Sequence, residues 1–179
     1  TILAHPHWSG NSLDDYKRWG FDGVEIYNHV CHWLNGKSCG LVHWTEALKD
    51  NPDTLAFSAD DAHIRPEHPG WNGGWIVVNA KRCSEKQVMN GIRKGNFYSS
   101  CGPEIYSLTL EGQQLHIETS PVQFMRISGL AAQGNRKGSF DGRLMTSADI
   151  TIPEDWPFVY LDIEDEKGRR AWTNNLFTI

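Results

Sequence analysis

Ser58-Ala59-Asp60-Asp61-Ala62-His63 directly follows the apolar run Leu55-Ala56-Phe57. In an extended chain residues two apart point to the same side, so Asp61 and His63 project together just past the C-terminal end of a strand. That end is where α/β folds build their sites. A carboxylate and an imidazole converging there suit a divalent Zn, Mn or Fe ion, and the same pair also makes a hydrogen-bonded Asp–His couple with no metal. A second imidazole has the same setting: His5 follows the apolar Ile2-Leu3-Ala4, and Pro6 stiffens the chain where the ring would have to be held. His7 reads as a surface histidine in a turn. A third group is Glu25, Tyr27 and His29, which share one face of a strand. An unpaired buried carboxylate is costly, so Glu25 needs a partner, either beside a ligand or in a structural role. Asn28 or His29, at the strand end, could reach the same pocket mouth.

The elements that must position these residues follow from the apolar pattern. Over 1–103, short apolar runs at 2–4, 24–28, 55–59 and 75–79 alternate with helical patterns at 12–19, 43–49 and 84–94, the signature of βα units and a mainly parallel sheet. Ser12 and Ser84 read as N-caps, with Asp14 and Asp15 in the first turn of the first helix. A closed β/α barrel takes on the order of 200 residues, so four strands read as half of one. From about 104 the texture changes to strands with turn signals and no helix, at 106–110, 115–117, 122–128, 144–152, 158–163 and 170–178, the last two joined by Lys167-Gly168. The expected fold is therefore α/β: a partial, distorted β/α barrel over 1–103, then a small all-β, sandwich-like accessory domain over 104–179. The boundary falls at Gly102-Pro103, where both residues interrupt regular structure. Thr1-Ile2-Leu3-Ala4 opens directly on a strand, which reads as the middle of a longer arrangement. A half barrel exposes two sheet edges, so a homodimer or a poorly ordered first part is expected.

Composition narrows the function classes. With 39% hydrophobic and 22% charged residues among 179, the chain has the make-up of a folded soluble protein. No apolar stretch approaches the roughly 18 residues that span a bilayer, and no secretory leader pattern opens the chain, so a cytoplasmic protein without a membrane partner is expected. A net charge of -5 with 17 scattered basic residues argues against a nucleic-acid partner and for a small-molecule substrate. The four cysteines lack Cys-x-x-Cys spacing and read as reduced thiols. Gly70-Trp71-Asn72-Gly73-Gly74-Trp75 lacks the Gly-Lys-Ser/Thr ending of a phosphate loop and reads as a tight loop with tryptophan walls. His32, His43, His68 and His116 have no constellation around them.

Taken together, Ala4-His5-Pro6, the strand Val24-Glu25-Ile26-Tyr27-Asn28-His29, Asp61-Ala62-His63, Gly73-Gly74-Trp75, the run Gly95 to Pro103 and the closing Gly168-Arg169-Arg170-Ala171-Trp172-Thr173-Asn174 resemble the PHP (polymerase and histidinol phosphatase) superfamily. Within it they look closest to the CehA/McbA-type metallohydrolases. The resemblance implies a distorted (β/α)₇ barrel with a metal cluster at the C-terminal ends of its strands. It implies that His5 is the third-motif ligand and that Asp61 and His63 are the fourth-motif Asp-x-His pair, with Asp61 also orienting a metal-activated water. The implied reaction is hydrolysis of a phosphoester, or of a carbamate or carboxylic ester. The family's first motif, a His-x-His, and the Glu or His of its second have no counterpart here. The chain thus reads as the C-terminal portion of such a hydrolase, inactive alone, with an N-terminal PHP segment as the missing partner. The competing reading is a non-catalytic β-sandwich binding or interaction module with vestigial ligands.

Overall fold

A computed structural model describes residues 1–178; Ile179, the last residue of the expected second domain, lies outside it. In chain order the first elements are β1 (Ile2–Leu3), α1 (Pro6–Ser9), α2 (Leu13–Trp19), β2 (Gly23–Asn28), α3 (His29–Asn35), α4 (Leu41–Asp50) and β3 (Leu55–Ala59). Then come β4 (Trp75–Val78), α5 (Glu85–Arg93), β5 (Phe97–Ser100), β6 (Ile105–Glu111), β7 (Gln114–Val122) and β8 (Phe124–Ser128). The chain closes with β9 (Gly134–Gly138), β10 (Met145–Thr151), β11 (Tyr160–Glu164) and β12 (Arg170–Thr173). Local chemistry explains several boundaries. Ser12 and Asp15 form a capping box at the start of α2, with the Ser12 N–H donating to Asp15 at 2.6 Å. Gly20 ends the same helix in the left-handed conformation, φ 62°.

The strands form three sheets. β1, β2 and β3 make a parallel sheet in that order; β10-β7-β6 and β4-β5-β12-β11-β8-β9 are antiparallel. The six-stranded sheet is the middle layer, because its alternating residues feed two cores. Met125, Ile127, Leu161, Ile163 and Ala171 pack with Leu115, Ile117, Val122 and Ile150 of the three-stranded antiparallel sheet and its ends. Tyr160 and Trp172 point the other way, into a core with Val24, Ile26 and Ala56 of the parallel sheet and Tyr16, Trp44, Ala47 and Leu48 of α2 and α4. Trp44, Ala47 and Leu48 are three and four apart, the apolar stripe that lets α4 cover β2.

The half β/α barrel expected over 1–103 is not what forms. Among the described residues strand outweighs helix, the five helices are short, and no barrel closes. The parallel sheet stops at three strands, and the fourth candidate, 75–79, becomes β4, antiparallel to β5. A parallel neighbour needs a crossover, usually a helix, and the connection from β3 to β4 contains none among its residues. The side of β3 away from β2 is instead satisfied by side chains. The Ala56 N–H donates to Asn174 Oδ1 at 2.8 Å, and the Ala56 carbonyl accepts from Ser99 Oγ at 2.9 Å. Ser58 Oγ donates to the Ser100 carbonyl at 3.0 Å. Asn174 also donates Nδ2 to the carbonyls of Gly95 and Phe97, each at 3.0 Å. The six-stranded sheet takes β4 and β5 from before Gly102-Pro103 and its other strands from after it, so hydrogen-bonded pairing runs across that point. All four cysteines are free. Among the described residues no helix is long and apolar enough to cross a membrane.

Candidate functional site

Because β1, β2 and β3 run parallel, their C-terminal ends share one rim. His5 stands two residues beyond β1 and caps α1 with φ 29° and ψ 57°. Its N–H donates to Glu25 Oε2 at 2.5 Å. Its ring lies edge-on to Trp8, 5.2 Å between centroids, with Nδ1 2.7 Å from Ser9 Oγ. Asp61 stands two residues beyond β3 with φ 54°, a second non-glycine residue in the left-handed region on the same rim. Such conformations persist where surrounding contacts over-determine them, and they concentrate at functional sites.

Asn28, at the end of β2, joins the two strand ends. Its Nδ2 donates to Glu25 Oε2 at 3.1 Å and to Asp61 Oδ2 at 3.3 Å, one hydrogen for each. Its Oδ1 accepts the Cys31 N–H at 2.9 Å and so caps α3. Glu25 is buried, and that burial pushes its carboxyl above the usual range, opposed by the hydrogen bonds from Asn28 and the His5 N–H. Glu25 thus has the partners its burial requires: its carboxylate accepts the main-chain N–H of His5 and the side-chain amide of Asn28.

His63 Nε2 lies 3.7 Å from Asp61 Oδ1, with both side chains reaching solvent. The pair comes together as expected, by a different route. Asp61 is not extended; its left-handed turn brings the carboxylate and the imidazole to one side. His68, which has no partners in the sequence, sits 5.7 Å from the His63 ring and edge-on to Trp33 at 4.4 Å. Tyr27 and His29 touch, hydroxyl to Nδ1 at 3.2 Å, although His29 begins α3 and does not extend the strand face expected for it, and His29 Nε2 lies 3.2 Å from the Pro69 carbonyl. The tautomer that satisfies both carries its proton on Nε2.

The residue that sequence reasoning passed over is Asp60. Its carboxylate accepts the N–H groups of Asn72 at 2.6 Å, Gly73 at 2.7 Å and Gly74 at 2.8 Å. Burial acts to raise its pKa, but the three N–H donors outweigh it and hold the carboxyl below its usual value. The glycines are there for space: a Cβ on Gly73 would run into the His29 ring, and one on Gly74 would lie 2.7 Å from the Ala59 carbonyl oxygen. Since that oxygen is backbone and cannot swing aside, Gly74→Ala is expected to cost roughly 1–3 kcal/mol. A urea midpoint equal to the parent's would show that the loop does not pack against β3 in this way.

Carboxylate and imidazole are donors of the type that Zn, Mn and Fe take. Asp61 accepts a hydrogen bond only from Asn28 among the described residues, which leaves lone pairs for an ion. In number the donors fall short: among the described residues no group of three or more His, Cys, Asp or Glu side chains is placed to hold a metal. His5 shares the rim and the hydrogen-bond chain with Asp61 and His63 without joining them as a third converging donor. Comparison of the chain with protein-family models, with curated proteins and with solved structures finds no match.

Proposed function

We propose that this rim supplies His5, Asp61 and His63 to the centre of a divalent-metal hydrolase acting on a phosphoester, or on a carbamate or carboxylic ester, with further ligands coming from polypeptide outside these residues. The observation that carries the reading is the chain of contacts joining two parallel strand ends: His5 to Glu25, Glu25 to Asn28, Asn28 to Asp61, with His63 beside Asp61. The order and spacing of the PHP-like segments support it from the sequence side.

A divalent ion bound there would polarise the ester's C=O or P=O group and bring a bound water's pKa toward neutrality. The chain's own part is positional. Glu25 fixes the turn that presents His5, and Asn28 orients Asp61 Oδ2, leaving Oδ1 toward His63. Because no three such side chains converge among the described residues, the chain offers only part of a catalytic centre and is expected not to turn over by itself. The test is release of p-nitrophenol from p-nitrophenyl phosphate and p-nitrophenyl acetate. It is run with the chain alone and with an added polypeptide carrying the His-x-His pair that the resemblance implies. Metal-dependent hydrolysis that needs both parts and disappears with Asp61→Ala is the expected result. A metal-loaded two-part complex that cleaves neither ester contradicts the reading.

A further inference from the structure

We propose that Asp60 is the positioning residue of this rim: its carboxylate clamps the far end of the 61–74 loop and so fixes where Asp61 and His63 stand. The ligand half of this inference rests on the reading of Asp61 and His63 given above; the clamp itself does not.

The two neighbouring aspartates are used differently. Asp60 accepts three short backbone N–H bonds, two on Oδ1 and one on Oδ2, the charge-assisted kind that is stronger than a neutral pair. Asp61 accepts one from Asn28, at 3.3 Å. Asp60 is thus committed to the loop and Asp61 is left for an ion. Asp60 is also held through its main chain, since its carbonyl accepts the Val30 N–H of α3 at 3.1 Å. The loop it closes has no helix or strand from 61 to 74, so no repeating backbone ladder fixes its path.

What holds the loop is a small set of specific contacts. Asp60 ties residues 72–74 to the end of β3, and His29 Nε2 meets the Pro69 carbonyl at 3.2 Å. Both ends of the loop carry non-glycine residues in the left-handed region, Asp61 and Asn72, each with φ 54°. Such residues favour other conformations when released. Freeing Asn72 from the carboxylate would therefore loosen the turn at Asp61 that brings its side chain to His63. Glycines at 73 and 74 let two consecutive N–H groups reach one oxygen, a task that explains the glycine-rich stretch without a nucleotide.

The experiment pairs amide hydrogen exchange with zinc titration calorimetry on the parent, Asp60→Asn, Asp60→Ala and Asp61→Asn. In both Asp60 variants the amides of Asn72, Gly73 and Gly74 are expected to exchange at least about tenfold faster, while Leu161 and Ile163 in the other core keep their protection. Zinc affinity is expected to fall about tenfold or more. Asp61→Asn gives the opposite pattern, with the loop protected and zinc lost. Unchanged protection at 72–74 in Asp60→Ala overturns the clamp. Lost protection with unchanged zinc affinity overturns the positioning role. A parent that binds no zinc overturns the metal reading of the rim, and with it the ligand half of the inference, while the exchange data still decide the clamp.

Discussion

Replacing Asn174 by Ala is expected to lower the stability of the fold by about 3–5 kcal/mol, one of the two largest single-residue effects anticipated here. Asn174 is 2% exposed and makes three hydrogen bonds to backbone groups, one from the Ala56 N–H and two to the carbonyls of Gly95 and Phe97. Truncation leaves those groups without this partner in a dry setting, at roughly 1–3 kcal/mol for each that water cannot reach. The position also explains why the damage would spread. Asn174 stands where the parallel sheet meets the six-stranded one, doing for β3 what a fourth parallel strand would otherwise do. Urea unfolding of Asn174→Ala beside the exposed control Ser107→Ala gives the comparison. A loss below about 1 kcal/mol would mean that the junction is held by something else.

Asp162→Ala is the second large effect, at about 2–4 kcal/mol. The Asp162 side chain is 3% exposed and is held by Arg170 through both carboxylate oxygens, Nε to Oδ1 at 3.0 Å and Nη2 to Oδ2. Arg126 lies 3.7 Å from Oδ1 and reaches Glu164 at 2.8 Å. Removing the carboxylate leaves Arg170 on the inner sheet without its counter-ion. Because the Arg170 side chain is 31% exposed, water screens part of the penalty, which places the expected cost below that of a wholly buried pair. The double variant Asp162→Ala with Arg170→Leu should recover much of the loss, since the main cost is a stranded charge. A double variant no more stable than Asp162→Ala would show that packing of the Arg170 stem over Trp172, 5.2 Å from guanidinium carbon to ring, matters more.

Much of this arrangement was legible where the determinants are local. The helices expected at 12–19, 43–49 and 84–94 correspond to α2, α4 and α5, because caps and apolar spacing act within a few residues. The turn at Lys167-Gly168 forms with Gly168 at φ 75°. Strand partners were not legible. The apolar run at 75–78 looks the same whether its neighbour is parallel or antiparallel, and what decides it is the helix-free path from Asp60 to Gly74. β9, Gly134-Asn135-Arg136-Lys137-Gly138, has no apolar residue to reveal it; it is an edge strand paired only with β8. α1 is too short to show a periodicity, and α3 follows β2 with no residue between them, so nothing marks its start off from the strand.

The candidate site divides in the same way. His5, Asp61 and His63 could be placed at strand ends because each follows an apolar run. The residues that connect and hold them could not, since Asn28 reaches Asp61 across 33 positions and Asp60 reaches the loop across 12 to 14. Those bonds depend on how the strands are stacked and leave no spacing to read.

Asp61 and His63 are tested as ligands most directly by elemental analysis of bound Zn, Mn and Fe in the purified chain beside Asp61→Ala and His63→Ala, after equal exposure to metal. Metal retained by the parent and lost from both variants is the predicted result, and it would place the ion at the end of β3. Equal metal content in all three, or none in any, would contradict the assignment of Asp61 and His63 as ligands.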